Sequence, residues 1–331
     1  MNVEEWFERY KYKCASFSNI KRLVKLKKQQ KKTISVVIPT LNEEDNIGRV
    51  ISVLKDKLID RYHLVDEILV VDSGSTDNTH DVATKAGAKF FLAEKHLGKY
   101  GKAKGKGENL WKSLYLSQGD IIVFIDADIK NIHPRWVYGL VGPLLTNKKI
   151  GFTKAFYLRP IRVGEHLVPL GGGRVTELTI RPLFNMYFPR LSGFIQPLSG
   201  EYAGRRTILE KIPFFTGYGV ETGMLIDLQK KFGLRKIAQV DLKRRVHRNQ
   251  SLASLSKMAF GILQVFAKRA NTLGKLIQVG KIRNKIRIIE RTKDKQYVIK
   301  SRYIVEKQRP PIITIPEYRK KFKKEPSWVK V

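Results

Sequence analysis

The sequence predicts an α/β protein built on a mostly parallel, doubly wound sheet. Short apolar segments rich in β-branched residues, such as residues 33–39 (TISVVIP), alternate along the first 145 residues with amphipathic segments of helical period. This alternation is typical of strands joined by crossover helices, and the ligand of such a sheet lies beyond the carboxyl ends of its strands. A chain of 331 residues with 42% hydrophobic content can also bury a sizeable core, which excludes disordered and fibrous classes.

The first predicted unit is a strand, a loop and a helix. Residues 33–39 form the strand, because the segment is short, β-branched and closed by a proline. Asn42 is expected to cap the helix, whose acidic first turn suits the positive end of the helix dipole. Apolar residues recur on one face of this helix from Ile47 to Leu58.

The same order repeats along the chain. A strand over residues 67–71 leads to a short helix that ends at Gly87, since glycine is common just after a helix C-cap. A strand over residues 88–92, a helix over residues 108–116 and a strongly apolar strand over residues 120–125 follow. These elements supply the parallel sheet of the predicted class.

Composition divides the chain into four parts. We expect a basic N-terminal leader over residues 1–32, a first sheet-forming half over residues 33–145, a glycine-rich second half over residues 146–250, and a C-terminal part over residues 251–331. The C-terminal part is predicted to hold an apolar-rich helix over residues 251–275, followed by a basic tail with two short strand-like pieces, YVIK and IITI.

Positive charge dominates the composition. The chain has 64 Lys and Arg against 30 Asp and Glu, a formal net charge of +34, which favours anionic partners. The excess concentrates in the leader and tail, where a solvated charged surface is an equally good interpretation. The one cysteine, Cys14, excludes an internal disulfide. No segment has the apolar length to cross a bilayer, so we expect a soluble, cytoplasmic protein.

Three acidic residues close two of the predicted buried strands. Asp72 follows the strand over residues 67–71, and Asp126 and Asp128 follow the strand over residues 120–125. Because parallel strands end at the same edge of a sheet, these carboxylates are expected to gather there. Two carboxylates at such a spacing offer hard oxygen ligands to Mg²⁺ or Mn²⁺ held with substrate phosphates. An ordinary loop cap is the alternative interpretation.

Several basic residues stand where a phosphate or carboxylate could bind. The glycine-rich segment GKYGKAKGKGE matches neither GxGxxG nor GxxxxGK[ST], which argues against dehydrogenases and P-loop kinases, although Lys104 or Lys106 could hold a phosphate. Arg174 and Thr176 follow three glycines and suggest an anion site at a helix N-terminus. His247 could complete a metal site. Exposed loops and surface residues are the alternative interpretations.

A series of motifs carries a family resemblance over residues 34–250: SVVIPTLNEE, VDEILVVDSGSTDNT, GKGE, FIDAD, GGGRVTEL, QPLSGEYA, GYGVE and VHRN. In this order they resemble the glucosyl-3-phosphoglycerate synthases, which are retaining glycosyltransferases of the GT-A fold that use nucleotide sugars. The first motifs are shared with many GT-A transferases, whereas GGGRVTEL, SGEYA, GYGVE and the late HRN are more specific. The mannosyl-3-phosphoglycerate synthases remain an alternative, because sugar choice depends on small differences in the pocket.

The resemblance implies a donor site in the first half of the chain. The implied donor-binding residues are Pro39, Thr40, Leu41, Glu43, Asp72, Ser73, Lys106, Asp126 and Ala127. The residues from Pro39 to Glu43 would line the base and ribose, and Asp72 would hold the base edge together with Ser73. Lys106 would reach the phosphates or nucleobase region of the donor. Ala127, in the middle of the DxD element, would make no side-chain contact.

A metal site and an acceptor site are implied in the same way. Asp128 and His247 would hold Mg²⁺ or Mn²⁺. The implied acceptor-binding residues are Gly173, Arg174, Val175, Thr176, Tyr218 and Asn249. The implied catalytic residues are Asp128, Glu221 and Arg174, with Glu221 near the sugar hydroxyls and Arg174 gripping the charged groups of 3-phosphoglycerate.

The leading hypothesis is therefore a homodimeric enzyme that transfers glucose from UDP-glucose or GDP-glucose to 3-phosphoglycerate, which yields a precursor of glucosylglycerate-type solutes or polysaccharides. A second hypothesis is a membrane-surface transferase that acts on a polyprenyl phosphate, with the leader and tail on anionic lipid. A third is a nucleic-acid-binding module. The aromatic residues do not interleave with the basic runs as base stacking requires, so no specific nucleic acid is expected.

Overall fold

The structure is a computed structural model of the 331-residue chain. It describes residues 1–101, 103–159, 161–163, 166–168, 173–246, 250–278, 280–291 and 297–324. Two of the predicted site residues, His247 and Asn249, lie outside these ranges.

The strands agree closely with the pattern read from the sequence. They are β1 (Lys11–Lys13), β2 (Ile34–Thr40), β3 (Glu67–Asp72), β4 (Lys89–Leu92), β5 (Ile121–Phe124), β6 (Phe152–Leu158), β7 (Ile161–Val163), β8 (His166–Val168), β9 (Tyr202–Arg205), β10 (Phe214–Phe215), β11 (Ile237–Arg244), β12 (Lys285–Arg291), β13 (Tyr297–Tyr303) and β14 (Gln308–Arg309). Each strand predicted in the first 145 residues is confirmed to within one residue at either end.

Eight of these strands form one sheet in the order β1-β11-β6-β9-β5-β2-β3-β4. Neighbouring strands are parallel except at β9, which runs antiparallel to both β5 and β6. The predicted mostly parallel α/β class is therefore confirmed. The carboxyl ends of β2, β3 and β5 lie side by side, which brings the loops after these strands to one edge of the sheet.

The helices are α1 (Val3–Arg9), α2 (Ile20–Gln29), α3 (Glu44–Lys55), α4 (Thr79–Lys85), α5 (Lys106–Leu116), α6 (Arg135–Thr146), α7 (Arg181–Tyr187), α8 (Arg206–Leu209), α9 (Val220–Phe232), α10 (Leu252–Thr272) and α11 (Pro316–Phe322). Gly87 follows α4 with a φ of 93°, as expected of a glycine that ends a helix. Across the described ranges, none of the helices is both long and apolar enough to cross a membrane.

Apolar side chains cover both faces of the sheet. Along β2, Val36 and Ile38 belong to one buried cluster, whereas Val37 belongs to the other. Successive residues of a strand point to opposite faces, so a strand buried on both faces must be apolar throughout. The unbroken apolar run in TISVVIP reflects this double burial, and it also explains why β2 occupies the middle of the sheet.

The basic N-terminal segment, residues 1–32, is part of the fold. Its strand β1 adds to the edge of the sheet beside β11. Trp6 is buried, and its indole N–H donates a 2.8 Å hydrogen bond to the carbonyl oxygen of Ile237. Cys14 is a buried free thiol. Lys27 is buried and pairs with Asp66 at 2.6 Å. The segment is therefore a packed element, and composition alone did not reveal that packing.

The start of α3 differs from the prediction. Asn42 has a φ of 55°, and its side chain accepts a hydrogen bond from the loop after β3 instead of capping the helix. Asp77 from that same loop and Thr79, the first residue of α4, take over the capping role. The Glu43 amide donates to Thr79 Oγ1 at 2.8 Å, and the Glu44 amide donates to Asp77 Oδ2 at 3.2 Å. The two loops at the ends of β2 and β3 are thereby locked together.

The C-terminal part folds back onto the rest of the molecule. The helix predicted over residues 251–275 is confirmed as α10, and YVIK begins β13, which pairs with β12. IITI was predicted as a strand but forms a 3₁₀ turn over Ile312–Thr314. Prolines stand directly before and after this segment, and a residue without an N–H group disfavours pairing in a sheet.

Candidate active site

A cleft with a volume of about 740 Å³ opens at the carboxyl edge of β2, β3 and β5. Most of the residues selected from the sequence line this cleft: Pro39, Thr40, Leu41, Glu43, Ser73, Lys106, Asp126, Ala127, Asp128, Gly173, Arg174, Val175, Thr176, Tyr218 and Glu221. The residues predicted to bind a donor and those predicted to bind an acceptor therefore face one shared space.

Asp72 holds the loop beside the cleft rather than lining it. Its carboxylate is buried, and Oδ1 accepts hydrogen bonds from the amides of Gly74 and Ser75, both at 2.7 Å. Its Oδ2 accepts from Thr40 Oγ1 at 2.8 Å. These bonds fix the position of Ser73 next to the end of β2. Donor binding by Asp72 itself stays a prediction.

Lys106, at the start of α5, joins the two sides of the cleft. Its ammonium group lies 2.7 Å from Asp126 Oδ1 and 3.1 Å from Glu221 Oε1. Burial alone would lower the pKa of Lys106, but the charges of Asp126 and Glu221 outweigh that effect and raise the pKa well above its usual value. Lys106 is therefore a permanent cation between two carboxylates.

The glycines around Lys106 allow two segments to approach closely. Gly105 has a φ of 133°, a conformation that other residues rarely adopt. A Cβ atom on Gly107 would overlap the carbonyl oxygen of Phe215. The glycine-rich pattern thus serves the packing of the Lys106 segment against the segment that precedes α9.

Arg245, just after β11, is a second cation of the site and is buried. Its Nη2 lies 2.6 Å from Asp128 Oδ1 and 3.1 Å from Asp126 Oδ2. Its Nη1 lies 2.8 Å from Glu201 Oε1 and donates a 2.9 Å hydrogen bond to the hydroxyl oxygen of Tyr157. One guanidinium therefore neutralises carboxylates from the loop after β5 and from the residue that precedes β9.

Two carboxylates beside Arg245, the partly exposed Asp126 and the buried Glu201, differ in their protonation. Burial would raise the pKa of Asp126, but the charges of Lys106 and Arg245 outweigh it and hold the pKa well below the usual range. Burial raises the pKa of Glu201 to about 7, because it outweighs the attraction of Arg245. Asp126 is therefore ionised at neutral pH, whereas Glu201 can still exchange a proton there.

Lys154 lies beneath the cleft among these charges. Its side chain is buried, and its ammonium group donates a 2.5 Å hydrogen bond to the carbonyl oxygen of Ser199. The same group lies 4.4 Å from the centroid of the Tyr202 ring. Burial lowers the pKa of Lys154 to about 7. The floor of the site therefore contains a lysine that can lose its charge near neutral pH.

The acidic pair offers an environment that suits a divalent ion. Asp126 and Asp128 both direct a carboxylate oxygen at one point, which the cationic Nη2 of Arg245 occupies. Oxygen ligands of this type suit Mg²⁺ and Mn²⁺. Within the described residues, no three His, Cys, Asp or Glu side chains form a cluster that could hold a metal alone. The predicted third participant, His247, lies outside the described residues.

The far end of the cleft is rich in cations. Gly173 has a φ of 89°, and a helical segment follows it, as predicted for an anion site. Arg174 donates a 3.0 Å hydrogen bond to the carbonyl oxygen of Gln250, and Thr176 is buried in the first turn. Further cationic residues line the cleft: Arg159, Lys257 and Arg302.

Comparison with known proteins agrees with this geometry. The model of the glycosyl transferase family 2 matches residues 35–212. A glucosyl-3-phosphoglycerate synthase from Petrotoga mobilis is 55% identical over 94% of this chain and 95% of that relative. The chain belongs to the glucosyl-3-phosphoglycerate synthases of glycosyl transferase family 2. The GT-A fold implied by the motifs is thereby confirmed.

Solved structures of related synthases match the fold over most of this chain. The crystal structure of mannosyl-3-phosphoglycerate synthase from Rubrobacter xylanophilus matches with a TM-score of 0.85 and 38% identity, over 94% of this chain and 97% of the other. The glucosyl-3-phosphoglycerate synthase from Mycobacterium tuberculosis, in complex with Mn²⁺, UDP and phosphoglyceric acid, matches with a TM-score of 0.77 and 41% identity, over 89% and 94% of the two chains.

Some residues of the synthase site were not selected from the sequence. Glu201 lies within the SGEYA motif, so its place in a specific motif was a signal that could have identified it. Tyr157 donates a 2.7 Å hydrogen bond to Glu201 from β6, and no local pattern marks it. Glu306 lines the cleft from the C-terminal part, which carries no motif of the resemblance.

Proposed function

We propose that this protein transfers glucose from UDP-glucose to 3-phosphoglycerate with retention of the anomeric configuration. One observation carries the proposal: a single cleft is lined both by an acidic pair at the sheet edge and by cationic side chains suited to a small acceptor with two anionic groups. The Mycobacterium tuberculosis relative binds Mn²⁺, UDP and phosphoglyceric acid in its crystal structure, which supports the same ligands here.

The nucleoside of the donor lies, in this proposal, against the ends of β2 and β3. Pro39, Thr40 and Leu41 present the end of β2 to the cleft, and Ser73 faces them from the neighbouring loop. Lys106 and Arg245 then stand where the diphosphate must pass to reach Asp126 and Asp128. Their buried positive charges stabilise negative charge that develops on the departing nucleotide.

Asp128 and His247 would hold the divalent ion. When bound, such an ion neutralises charge on the diphosphate and so assists its departure. Asp126 keeps its carboxylate ionised in the cleft, because Lys106 and Arg245 lower its pKa. The 2.6 Å contact with Arg245 engages only Oδ1 of Asp128, so the second carboxylate oxygen, Oδ2, could hold the ion while that contact is kept.

The acceptor, in this proposal, binds at the cationic end. Arg174, Thr176 and Asn249 hold its phosphate and carboxylate, and this orients its hydroxyl group toward the anomeric carbon. The new bond joins that oxygen to the anomeric carbon, while the bond from the anomeric carbon to the diphosphate oxygen breaks. The hydroxyl proton passes to the departing phosphate oxygen on the same face of the sugar. Glu221, fixed by Lys106, lies near the sugar hydroxyls.

The acceptor assignment predicts a selective defect in Arg174→Ala. Loss of a charge-assisted hydrogen bond weakens binding of its ligand by about tenfold to a hundredfold, so the KM for 3-phosphoglycerate should rise by such a factor. The KM for UDP-glucose should stay within about twofold. Steady-state kinetics with each substrate varied in turn measure both. Arg190→Ala removes an exposed arginine outside the cleft and serves as the control.

Equal increases in both KM values would contradict the acceptor assignment, since a residue that contacts only the acceptor leaves donor binding intact. A larger increase for UDP-glucose than for 3-phosphoglycerate would contradict it more strongly, because it would place Arg174 at the donor.

The choice of sugar is tested by donor profiling. We expect UDP-glucose to give the highest kcat/KM with 3-phosphoglycerate, ahead of GDP-glucose and GDP-mannose. The structural match to a mannosyl-3-phosphoglycerate synthase makes mannose transfer the second candidate. Preference for GDP-mannose would establish that second candidate, and turnover of a polyprenyl phosphate but not of 3-phosphoglycerate would contradict both.

We also propose that the protein acts in the cytoplasm as a homodimer. The buried free thiol of Cys14 suits a reducing compartment, and both substrates are small charged metabolites. Light scattering coupled to size-exclusion chromatography measures the mass in solution. A mass equal to one 38.1 kDa chain at the enzyme concentrations used in assays would contradict the dimer.

A further inference from the structure

A segment of the C-terminal part returns to the cleft after the β12–β13 hairpin. We call residues 306–309 the C-terminal strap. Glu306 lines the cleft at one end of the strap, and Arg309 is buried at the other. Sequence reasoning assigned nothing to this segment, which belongs to the basic tail. The strap contacts two segments that hold or adjoin predicted site residues: the segment before α9 and the start of α5.

The Glu306 carboxylate binds the backbone that precedes α9. Oε2 accepts a hydrogen bond from the Gly217 amide at 2.9 Å, and Oε1 accepts one from the Gly219 amide at 3.1 Å. Amides at the start of a helix have no partner within the helix, so an acidic group there supplies acceptors and suits the helix dipole. Glu306 therefore holds the turn that leads into α9 from a distant part of the chain.

The fit between Glu306 and this loop is close. A Cβ atom on Gly217 would collide with the Glu306 carboxylate, and a Cβ atom on Gly261, in α10, would lie 2.8 Å from Oε1. Glu306 is half-buried, and this burial raises the pKa of its carboxyl group. Such a group is costly to bury without partners, so its two bonds to amides hold it in one place.

The rest of the strap contacts both the segment before α9 and the start of α5, near the predicted donor-binding residue Lys106. The amide of Thr216 donates to the carbonyl oxygen of Lys307 at 3.0 Å, and β14 pairs with β10. Arg309 binds both carboxylate oxygens of Glu108, at 2.7 and 3.0 Å, and donates to the carbonyl oxygens of Tyr100 and Gly101. Glu108 lies in the first turn of α5, two residues after Lys106.

We propose that Glu306 is a positioning residue that holds the Gly217–Gly219 loop, and thereby places Tyr218 and Glu221 in the cleft. Glu221 follows this loop in the first turn of α9, where it meets Lys106. A shift of the loop moves the start of α9 and separates Glu221 from Lys106. The kinetic part of the proposal rests on the proposed function, whereas the positioning of the loop does not.

The test compares Glu306→Gln with the control Lys307→Ala. Glutamine keeps the shape of the side chain, but it offers one acceptor and turns an N–H donor toward the second amide. Lys307 is exposed, and only its backbone pairs with the loop. Amide hydrogen exchange over residues 214–224 reports the loop directly, kinetics report kcat, and calorimetry with UDP and Mn²⁺ reports donor binding.

In Glu306→Gln we expect the Gly217 and Gly219 amides to exchange about tenfold faster, and kcat to fall by about tenfold or more. The affinity for UDP should stay within about twofold, since the donor end of the cleft keeps its contacts. Lys307→Ala should match the wild type in all three measurements.

Unchanged exchange of the two amides in Glu306→Gln would overturn the proposal. So would equal acceleration of exchange across the whole protein, because Glu306 would then support the fold in general. A wild-type protein without transferase activity would refute the proposed function alone, since the exchange of the loop amides would still decide whether Glu306 positions the loop.

Discussion

Asp128→Ala is expected to lower kcat by about a thousandfold, the largest single effect on catalysis that the structure predicts. Asp128 and Asp126 direct oxygens at one cationic point, and the proposed mechanism needs a divalent ion beside the diphosphate. Without Asp128 the ion loses a charged ligand, so saturating metal should not restore turnover. Steady-state assays over a range of Mg²⁺ and Mn²⁺ concentrations measure this.

A second measurement separates metal binding from folding. Calorimetric titration of Mn²⁺ in the presence of UDP should show a large loss of affinity in Asp128→Ala, while the melting temperature stays near that of the wild type. Asp45→Ala, which removes an exposed aspartate from α3, should change neither quantity. A variant at Asp128 with normal turnover at saturating metal would refute the metal assignment.

Arg245→Met is expected to cause the largest loss of stability. Arg245 is only 2% exposed, and its removal deprives the fully buried Glu201 and the partly exposed Asp126 of a neighbouring positive charge. Breaking a buried ion pair in this way typically costs about 3 to 5 kcal/mol of unfolding free energy. Urea unfolding followed by tryptophan fluorescence measures the loss. Arg244→Met, at an exposed neighbour, should cost no more than about 0.5 kcal/mol.

The loss in Arg245→Met should also depend on pH. Burial raises the pKa of Glu201 to about 7 in the folded wild type, although Arg245 opposes the increase, so the pKa should rise further without Arg245. A carboxyl group with a raised folded-state pKa loses stabilising free energy as the pH increases toward that pKa. In the variant this loss continues above pH 7. The difference in unfolding free energy between wild type and variant should therefore be larger near pH 8.5 than near pH 6. Equal gaps at both pH values would contradict this explanation.

Short sequence patterns were sufficient to predict the strands and the acidic residues that follow them. The strand TISVVIP was predictable because a central strand must be apolar on both faces. Asp126 and Asp128 were predictable because they follow such a strand, and parallel strands bring their ends to one edge. The motif order further predicted that Arg174 and Glu221 would belong to the same site, and both line the cleft.

Contacts between distant segments account for what was missed. The network around Arg245 joins Asp126 and Asp128 after β5 to β6, to the residue before β9 and to the end of β11, and of these members only the two aspartates share a short segment. Asn42 was assigned to a cap because its type favours caps, yet Thr79 and Asp77 reach the helix from another loop. Glu306 acts on a loop about ninety residues away in sequence, so only the folded chain reveals it.

The central claim is tested most directly by following the anomeric proton of glucose by nuclear magnetic resonance, while the purified protein acts on UDP-glucose and 3-phosphoglycerate with Mg²⁺. The account predicts that the first product is the α-glucoside of 3-phosphoglycerate, formed in step with UDP. Formation of the β-glucoside would contradict retention. Release of free glucose without a phosphorylated glucoside, or no consumption of UDP-glucose at all, would contradict the proposed transfer itself.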